Sequence, residues 1–415
     1  MIEVASGLLG GPGRGGGLLR DRDFAVLLTA RVQSTAGDQL SRVALWVLVY
    51  RATGSAAWPA VAFGLSMAAS AMALWLAPWA SRFALRRVIR CCAVLSALLV
   101  AAMAIPGVPW WCLILIAMAG QAVGGVYRAT QTAALRQVVP PQQDVERFKT
   151  AVSAQQTADT VAALAGLPVA GLVIAAAGPY LPMLIDAVTF VLAGLLVGRV
   201  VGRADVPVLS RRVSLLETVC TVWTDRRLVL LLGFIVLSGI TIVPEALSVG
   251  LAHQFGRPDA IWLVAVSEPA GYVVGASPWI QRLLSSYRWA RGLGWFAIGS
   301  FVPLIGAAWM PNLGAVCALL VVSGIASGHL VTVLTLYTAW SQESWLISAQ
   351  VLGRTVLIGA QGMASGLGGL AGEVLSGPAA AVTAAGVFGA VSAVAVTVAW
   401  RSLLSSPREV VLPAG

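Results

Sequence analysis

Twelve stretches of this chain stay apolar for about the 20 residues that a helix needs to cross a bilayer. They run 24–49, 57–78, 88–108, 110–134, 147–175, 178–199, 228–249, 259–281, 290–309, 312–336, 346–373 and 378–400. Charged residues make up only 11% of the 415 residues, where a soluble domain carries about a quarter. So few charges could not cover a water-facing surface of this size, and the mean hydropathy of +0.86 agrees. Lipid must therefore be the solvent for most of the chain. The spacing predicts an all-α membrane protein with twelve transmembrane helices.

Proline and glycine mark the joins, at Pro106-Gly107, Gly178-Pro179, Pro311 and Gly377-Pro378. Several joins are so short that their neighbours must pack as antiparallel hairpins. The longest connection, 200–227, separates six spans from six. This gives a tail at 1–23, a six-helix bundle at 24–199, a central loop at 200–227, a second bundle at 228–400 and a tail at 401–415. A shift of two hundred residues aligns Pro78-Trp79-Ala80-Ser81-Arg82 with Pro278-Trp279-Ile280-Gln281-Arg282, and nearly aligns the two Gly-Pro pairs. Internal repeats of this size in a polytopic chain are a mark of secondary transporters. The two bundles are thus expected to be pseudo-symmetric.

Arginine sets the orientation. One side of the spans holds Arg20, Arg22, Arg82, Arg86, Arg87, Arg90, Arg136, Arg147, Arg203, Arg211, Arg212, Arg226, Arg227, Arg282, Arg288, Arg291, Arg401 and Arg408, with the one lysine, Lys149. The other side holds only Arg51 and Arg257. The positive-inside rule then places both termini and the central loop in the cytoplasm, in a multi-pass protein of a bacterial cytoplasmic (inner) membrane. The net charge of +10 is spread between apolar runs instead of lying on one polar face, so nucleic acid is not an expected partner. The five cysteines form no ligand-like spacing with one another or with the two histidines, so neither metal nor disulfide is expected. Residues 1–23 lack the apolar core of a removable signal peptide. The stretch Ser214–Asp225 has apolar residues near helical spacing. It could lie on the membrane surface or pack as a linker helix.

Several motifs resemble the major facilitator superfamily, and within it the branch of drug and siderophore exporters. The first span carries Gly37-Asp38, then Arg42-Val43-Ala44-Leu45, Tyr50 and Thr53-Gly54-Ser55, which is similar to that branch's opening motif. Tyr127-Arg128-Ala129-Thr130-Gln131 through Val139-Pro140 resembles the end of its fourth helix. Gly178-Pro179 with Leu184-Ile185-Asp186-Ala187-Val188-Thr189-Phe190 resembles its sixth. The likeness extends over 24–400 and implies the major facilitator fold. In the family's loop between helices two and three, a Gly and an Asp stand where this chain has Ala77 and Ser81, while Arg82, Arg86 and Arg87 are kept. The resemblance implies that the missing acid latches the halves, which makes Arg82, Arg86, Arg87 and Arg282 gating-loop candidates. The family's Gly-Pro pattern of helix five survives in part as Gly166-Leu167-Pro168-Val169-Ala170-Gly171, and Glu343-Ser344-Trp345 replaces an acidic-basic-Gly run before span eleven.

Charges inside hydrocarbon cost several kcal/mol, so intramembrane ionisable residues are functional candidates. Arg31, Ser34, Thr35, Asp38 and Arg42 recur at helical spacing in span one and form a polar stripe. Asp38 and Arg42, four apart, could pair on the helix, which is preferred here over a proton site. Asp159 in span five follows Gln155 and Gln156; it is either a proton-coupling group or the partner of an arginine such as Arg31 or Arg128. Glu268, before Pro269 in span eight, is the second-half counterpart. Asp186 reads as a packing and hydrogen-bonding residue, and Glu245 and Glu373 as solvated groups at outer helix ends. Arg31 and Arg354 could hold an anionic substrate or clamp the acids. Tyr127, Gln131 and Gln350 are further cavity-lining candidates. His329 reads as a packing residue before a proton relay.

The expected function is export of an amphiphilic small molecule by alternating access, driven by proton antiport. The alternatives are an importer or facilitator on the same fold, and a transport-inactive sensor or assembly protein. A prenyl-transfer enzyme would need paired Asp-rich motifs, and the spans hold none. The proton gradient is the expected energy source, with no cofactor. The expected partners are the lipid bilayer and the small-molecule substrate, for a monomer.

Overall fold

The computed structural model describes residues 21–70, 72, 76, 80, 82–139, 145–200, 215–277, 280, 286–341 and 346–404. Among them there is no strand, and each of the twelve expected spans is occupied by helix. Among the described residues, seven stretches are long and apolar enough to cross a membrane: Trp110–Val138, Thr150–Ala177, Tyr180–Val200, Arg226–Ala246, Gly292–Trp309, Leu313–Trp340 and Pro378–Leu403. The first helix, α1 (Arg22–Thr53), is long enough but carries the polar stripe, which dilutes its hydropathy.

The chain divides into two compact units, Met1–Leu48 with Ala69–Ser210, and Val49–Ala68 with Arg211–Gly415. The first unit holds most of α1 and the helices α3 (Leu85–Met103), α4 (Trp110–Val138), α5 (Val145–Ala177) and α6 (Tyr180–Val200). Phe24, Leu135, Val139, Ala151 and Ala154 bind one end of α1, α4 and α5 together. Small residues let the helices approach. Gly194 of α6 abuts Ala93 of α3, and Gly166 of α5 abuts the carbonyl of Ala36 and the side chain of Gln39.

The second unit contains α2 (Ala57–Ser70, all but its last two residues), α7 (Leu215–Thr224), α8 (Arg226–Ile240), α9 (Val243–Ala246) and α10 (Ser248–Gln254). Then follow α11 (Ile261–Gly275), α12 (Ser286–Ile305), α13 (Leu313–Ser327), α14 (His329–Trp340), α15 (Leu346–Val374) and α16 (Pro378–Leu404). Helices α11 and α13 touch backbone to backbone: a Cβ on Gly271 would run into the carbonyl of Val321, one on Gly275 into Ile325, and one on Gly324 into Glu268.

Both Gly-Pro pairs end one helix and start the next. Gly178 has φ +77° and Gly377 φ +120°, left-handed values that only glycine adopts freely. The following Pro179 and Pro378 lack an N–H that a helix start would leave unbonded in any case. The other matched motif, at 78–82 and 278–282, lies largely outside the described residues. Pro78, Trp79, Ser81, Pro278, Trp279, Gln281 and the gating candidate Arg282 all fall there.

Span seven departs from expectation. It is not one helix over 228–249 but three pieces, interrupted at Thr241-Ile242 and again at Leu247. Pro244 begins the second piece, where its missing N–H is harmless. The break corrects the reading of Glu245 as a solvated residue at the outer helix end. The interruption turns it inward, and it is only 6% exposed.

Candidate functional site

In the first unit the polar stripe of α1 meets polar residues of α4, α5 and α6. Arg31 clamps Asp159 of α5: its Nε donates to Oδ1 and Oδ2 at 2.8 and 2.9 Å, and its Nη2 to Oδ2 at 2.7 Å. This is the planar fork on a carboxylate that fixes both direction and distance. Thr35, one turn along α1, adds a hydroxyl 3.3 Å from Asp159 Oδ1. Of the two arginines considered for Asp159, Arg31 is the one that binds it. About a quarter of the Asp159 side chain stays accessible.

Arg31 also donates through Nη1 to Gln131 Oε1, at 3.3 Å. A guanidinium has no acceptor, so the amide must present its oxygen here. The Nε2 of Gln131 is thereby turned away, and it is buried without a hydrogen-bond partner, as is the hydroxyl of Tyr127 one turn earlier on α4. Gln155 is buried on α5. Gln156 lies on the same helix, and its side chain is outside the described residues.

A second charged pair lies further along α1. Asp38 Oδ2 is 3.9 Å from Arg128 Nη1 of α4, and Arg128 also donates to Gln121 Oε1 at 3.4 Å. The sequence offers Arg42, four residues along the same helix, as a partner of Asp38; α4 adds Arg128, a cation from a second helix, to the same stripe. Behind it, the fully buried Asp186 of α6 accepts from the hydroxyls of Ser41 and Thr189. Gly37 packs directly against Asp186 and Thr189, where any side chain would collide. Asp186 is thus held as a packing and hydrogen-bonding residue.

In the second unit Glu268 of α11 is 8% exposed. Thr241, at the helix break, donates its hydroxyl to the carbonyl of Ser238 at 3.0 Å. The nearby His329 is 1% exposed. Its Nδ1 lies 3.0 Å from the carbonyl of Ala326 and its Nε2 3.4 Å from the hydroxyl of Ser238. The carbonyl requires a proton on Nδ1, and the Ser238 hydroxyl donates to the carbonyl of Phe234 at 3.0 Å. Phe234 meets the ring edge-on. These contacts hold the His329 ring on both nitrogens and one face. Gln350 and Arg354 lie one turn apart on α15, both exposed. Of the loop arginines, Arg82 and Arg87 are exposed and Arg86 is half-buried. No group of three His, Cys, Asp or Glu residues that could hold a metal occurs among the described residues.

The sequence places Arg31, Ser34, Thr35, Asp38 and Arg42 on one stripe, and the structure brings the separate candidates Asp159 and Gln131 to it. Sequence reasoning missed Arg128 as a neighbour of Asp38, and Ser41 with Thr189 as the partners of Asp186. Ser41 stood three residues after Asp38, on the stripe's own spacing, and could have been found that way.

A family model described as Major Facilitator Superfamily matches residues 27–243. Among curated proteins nothing matches. Solved transporters share the fold at low identity. A bacterial homolog of the human lysosomal transporter Spinster, in an inward-facing and occupied conformation, superposes with a TM-score of 0.73 at 14% identity, covering 94% of this chain and 99% of that one. A variant of the nucleoside transporter NupG gives 0.71 at 12%, covering 91% and 98%. A POT family transporter in complex with 5-aminolevulinic acid gives 0.70 at 12%, covering 92% and 96%.

Proposed function

The chain belongs to the major facilitator superfamily, and we propose that this membrane transporter exports an amphiphilic small molecule in exchange for protons. What supports the reading is an acid inside the spans, Asp159, set against a polar stripe that lipid cannot solvate; its ion pair with Arg31 is the state it takes without a proton. A proton delivered to Asp159 removes the charge that holds Arg31. The guanidinium is then released toward Gln131 and toward any acceptor on a substrate. Loss of the proton restores the clamp. The pair of Asp38 with Arg128 repeats the arrangement two turns away, and Glu268 offers an acid in the second half. Two states of one charge pair, each favoured by a different ligand, are what alternating access needs.

Reconstitution tests this. Substrates are first found by screening amphiphilic compounds for thermal stabilisation of the purified protein. Proteoliposomes with an imposed pH gradient should then move the substrate against its own gradient, and a protonophore should abolish that movement. Movement indifferent to the pH gradient would refute proton coupling.

A second reading, a transport-inactive sensor or assembly protein, is favoured by Ala77 and Ser81 at the positions of the family's loop Gly and Asp. It requires that no compound in the screen be moved, with or without a gradient, while a protein partner co-purifies.

A further inference from the structure

One end of the second unit gathers arginine and tryptophan in a way that transport does not use. Arg226 and Arg227 open α8, and Arg401 and Ser402 lie near the end of α16. Arg226 Nη2 is 3.4 Å from the hydroxyl of Ser402, so the two helix ends adjoin. The guanidinium of Arg401 sits 4.9 Å from the ring centre of Trp295 on α12, a cation–π contact. That of Arg227 sits 5.8 Å from the ring centre of Trp340. No ion pair of Arg226, Arg227 or Arg401 occurs among the described residues. Asp225, between α7 and α8, uses its carboxylate to cap the backbone N–H of Arg227 at 2.9 Å.

Two large rings flank this group on the outside. Trp223, at the end of α7, is 70% exposed, and Trp295 is 60% exposed. Exposed tryptophan is costly in water, but it is at home at the boundary between headgroups and acyl chains. The positive-inside rule turns this end toward the cytoplasmic leaflet, which is the anionic one.

We propose that Arg226 and Arg401 bind the headgroup phosphate of an anionic phospholipid, with Trp223 and Trp295 seated beside its glycerol and upper acyl chain. Charge complementarity selects the occupant. Orienting the chain in the membrane needs only positive charge, anywhere in the loops. Here Arg226 reaches Ser402, the residue next to Arg401, and Arg401 lies over Trp295, so two planar forks belong to adjoining helix ends. Such forks match phosphate oxygens in pairs. Transport itself does not enter the argument, so the site stands or falls apart from the function proposed above.

The test uses the full-length protein purified in a neutral detergent. Brominated phosphatidylglycerol and brominated phosphatidylcholine are titrated in, and because the chain has 15 tryptophans, the part of the fluorescence quenching that is lost in a Trp223→Phe, Trp295→Phe variant reports lipid bound near those two. Native mass spectrometry counts the lipids retained. Wild type should bind the anionic lipid more tightly, and the preference should fall roughly fivefold for each arginine removed in Arg226→Gln and Arg401→Gln, by the usual strength of one basic residue near an anionic surface. Arg257→Gln, an exposed arginine on the side that sequence places opposite, should leave the preference unchanged. Millimolar inorganic phosphate should not displace the lipid. Equal affinity of wild type for both lipids would overturn the proposal even if the variants failed to fold. An undiminished preference in the folded double variant would overturn it too, as would displacement by inorganic phosphate alone.

Discussion

Asp159 and Asp259 carry the same side chain with the same kind of partner in opposite settings. Asp259 and Arg257 are both about two-thirds exposed. The Arg257 guanidinium beside Asp259 holds its carboxyl below the usual aspartate range. Any stability it adds is therefore present above the unfolded value and lost as pH falls through the lowered one. Exposed pairs are screened by water and contribute little, so Arg257→Gln should leave the thermal midpoint in detergent at pH 7 unchanged within error. Asp159 differs because its partner is shielded, with Arg31 only 12% exposed. Removing one member of a shielded pair strands the other, at a cost of about 3 kcal/mol. Asp159→Ala should accordingly lower the midpoint clearly. Asp159→Asn should lower it less, since the amide oxygen still accepts from Arg31. Under the proposed function, Asp159→Asn should also cut gradient-driven transport by roughly tenfold or more, the rate equivalent of about 1.4 kcal/mol, while substrate exchange without a gradient persists. Equal losses of both activities would show a residue needed for shape alone. The stripe that includes these residues was legible because a helix repeats every 3.6 residues. The approach of Arg128 to Asp38 was not, because ninety residues separate the two and no periodicity within one helix reports which helices meet.

At the scale of elements, apolar run length located a helix in each of the twelve spans, since the bilayer sets the length and composition reports it; α7, in the central loop, showed only in its spacing. Run length is blind to a break that stays apolar. Span seven reads as continuous through Thr241 and Ile242, so the inward turn that buries Glu245 left no trace in hydropathy. Glycine was more informative. Gly271 and Gly275, spaced one turn apart, marked a face of close approach, and they lie against Val321 and Ile325 of α13. A leucine at Gly271 would have to displace a backbone carbonyl, which cannot move like a flexible side chain. Overpacking ordinarily costs about 1–3 kcal/mol, and contact with rigid backbone puts Gly271→Leu at or above the upper end. Thermal unfolding of the full chain in detergent should show a large drop, against almost none for Gly359→Leu on α15, where a Cβ meets nothing within 4 Å. Similar midpoints for the two variants would mean that α11 and α13 do not pack through these glycines.

Across the whole molecule the repeat survives where it matters to the backbone. Gly178-Pro179 and Gly377-Pro378 each separate the last two helices of a half, and both glycines take left-handed φ. The arginine distribution adds a direction to this scaffold, and the broken span seven makes that direction testable. Cys220 on α7 and Asp259 beyond α10 are both exposed. Between them, the 21-residue stretch Arg226–Ala246 would extend about 32 Å at 1.5 Å per residue, enough for a hydrocarbon core of about 30 Å. Despite its interruption at Thr241-Ile242, this stretch should therefore cross the membrane once and leave Cys220 and Asp259 on opposite faces. A variant keeping Cys220 as its only cysteine, and a cysteine-free variant carrying Asp259→Cys, can be treated with a membrane-impermeant maleimide. In intact cells the Asp259→Cys variant should react and the Cys220 variant should not; opening the membrane should make Cys220 reactive. The reverse pattern would invert the orientation read from the arginines. Labelling of both in intact cells would mean that the break turns the chain back before it has crossed, and the count of six helices in the second half would then fail with it.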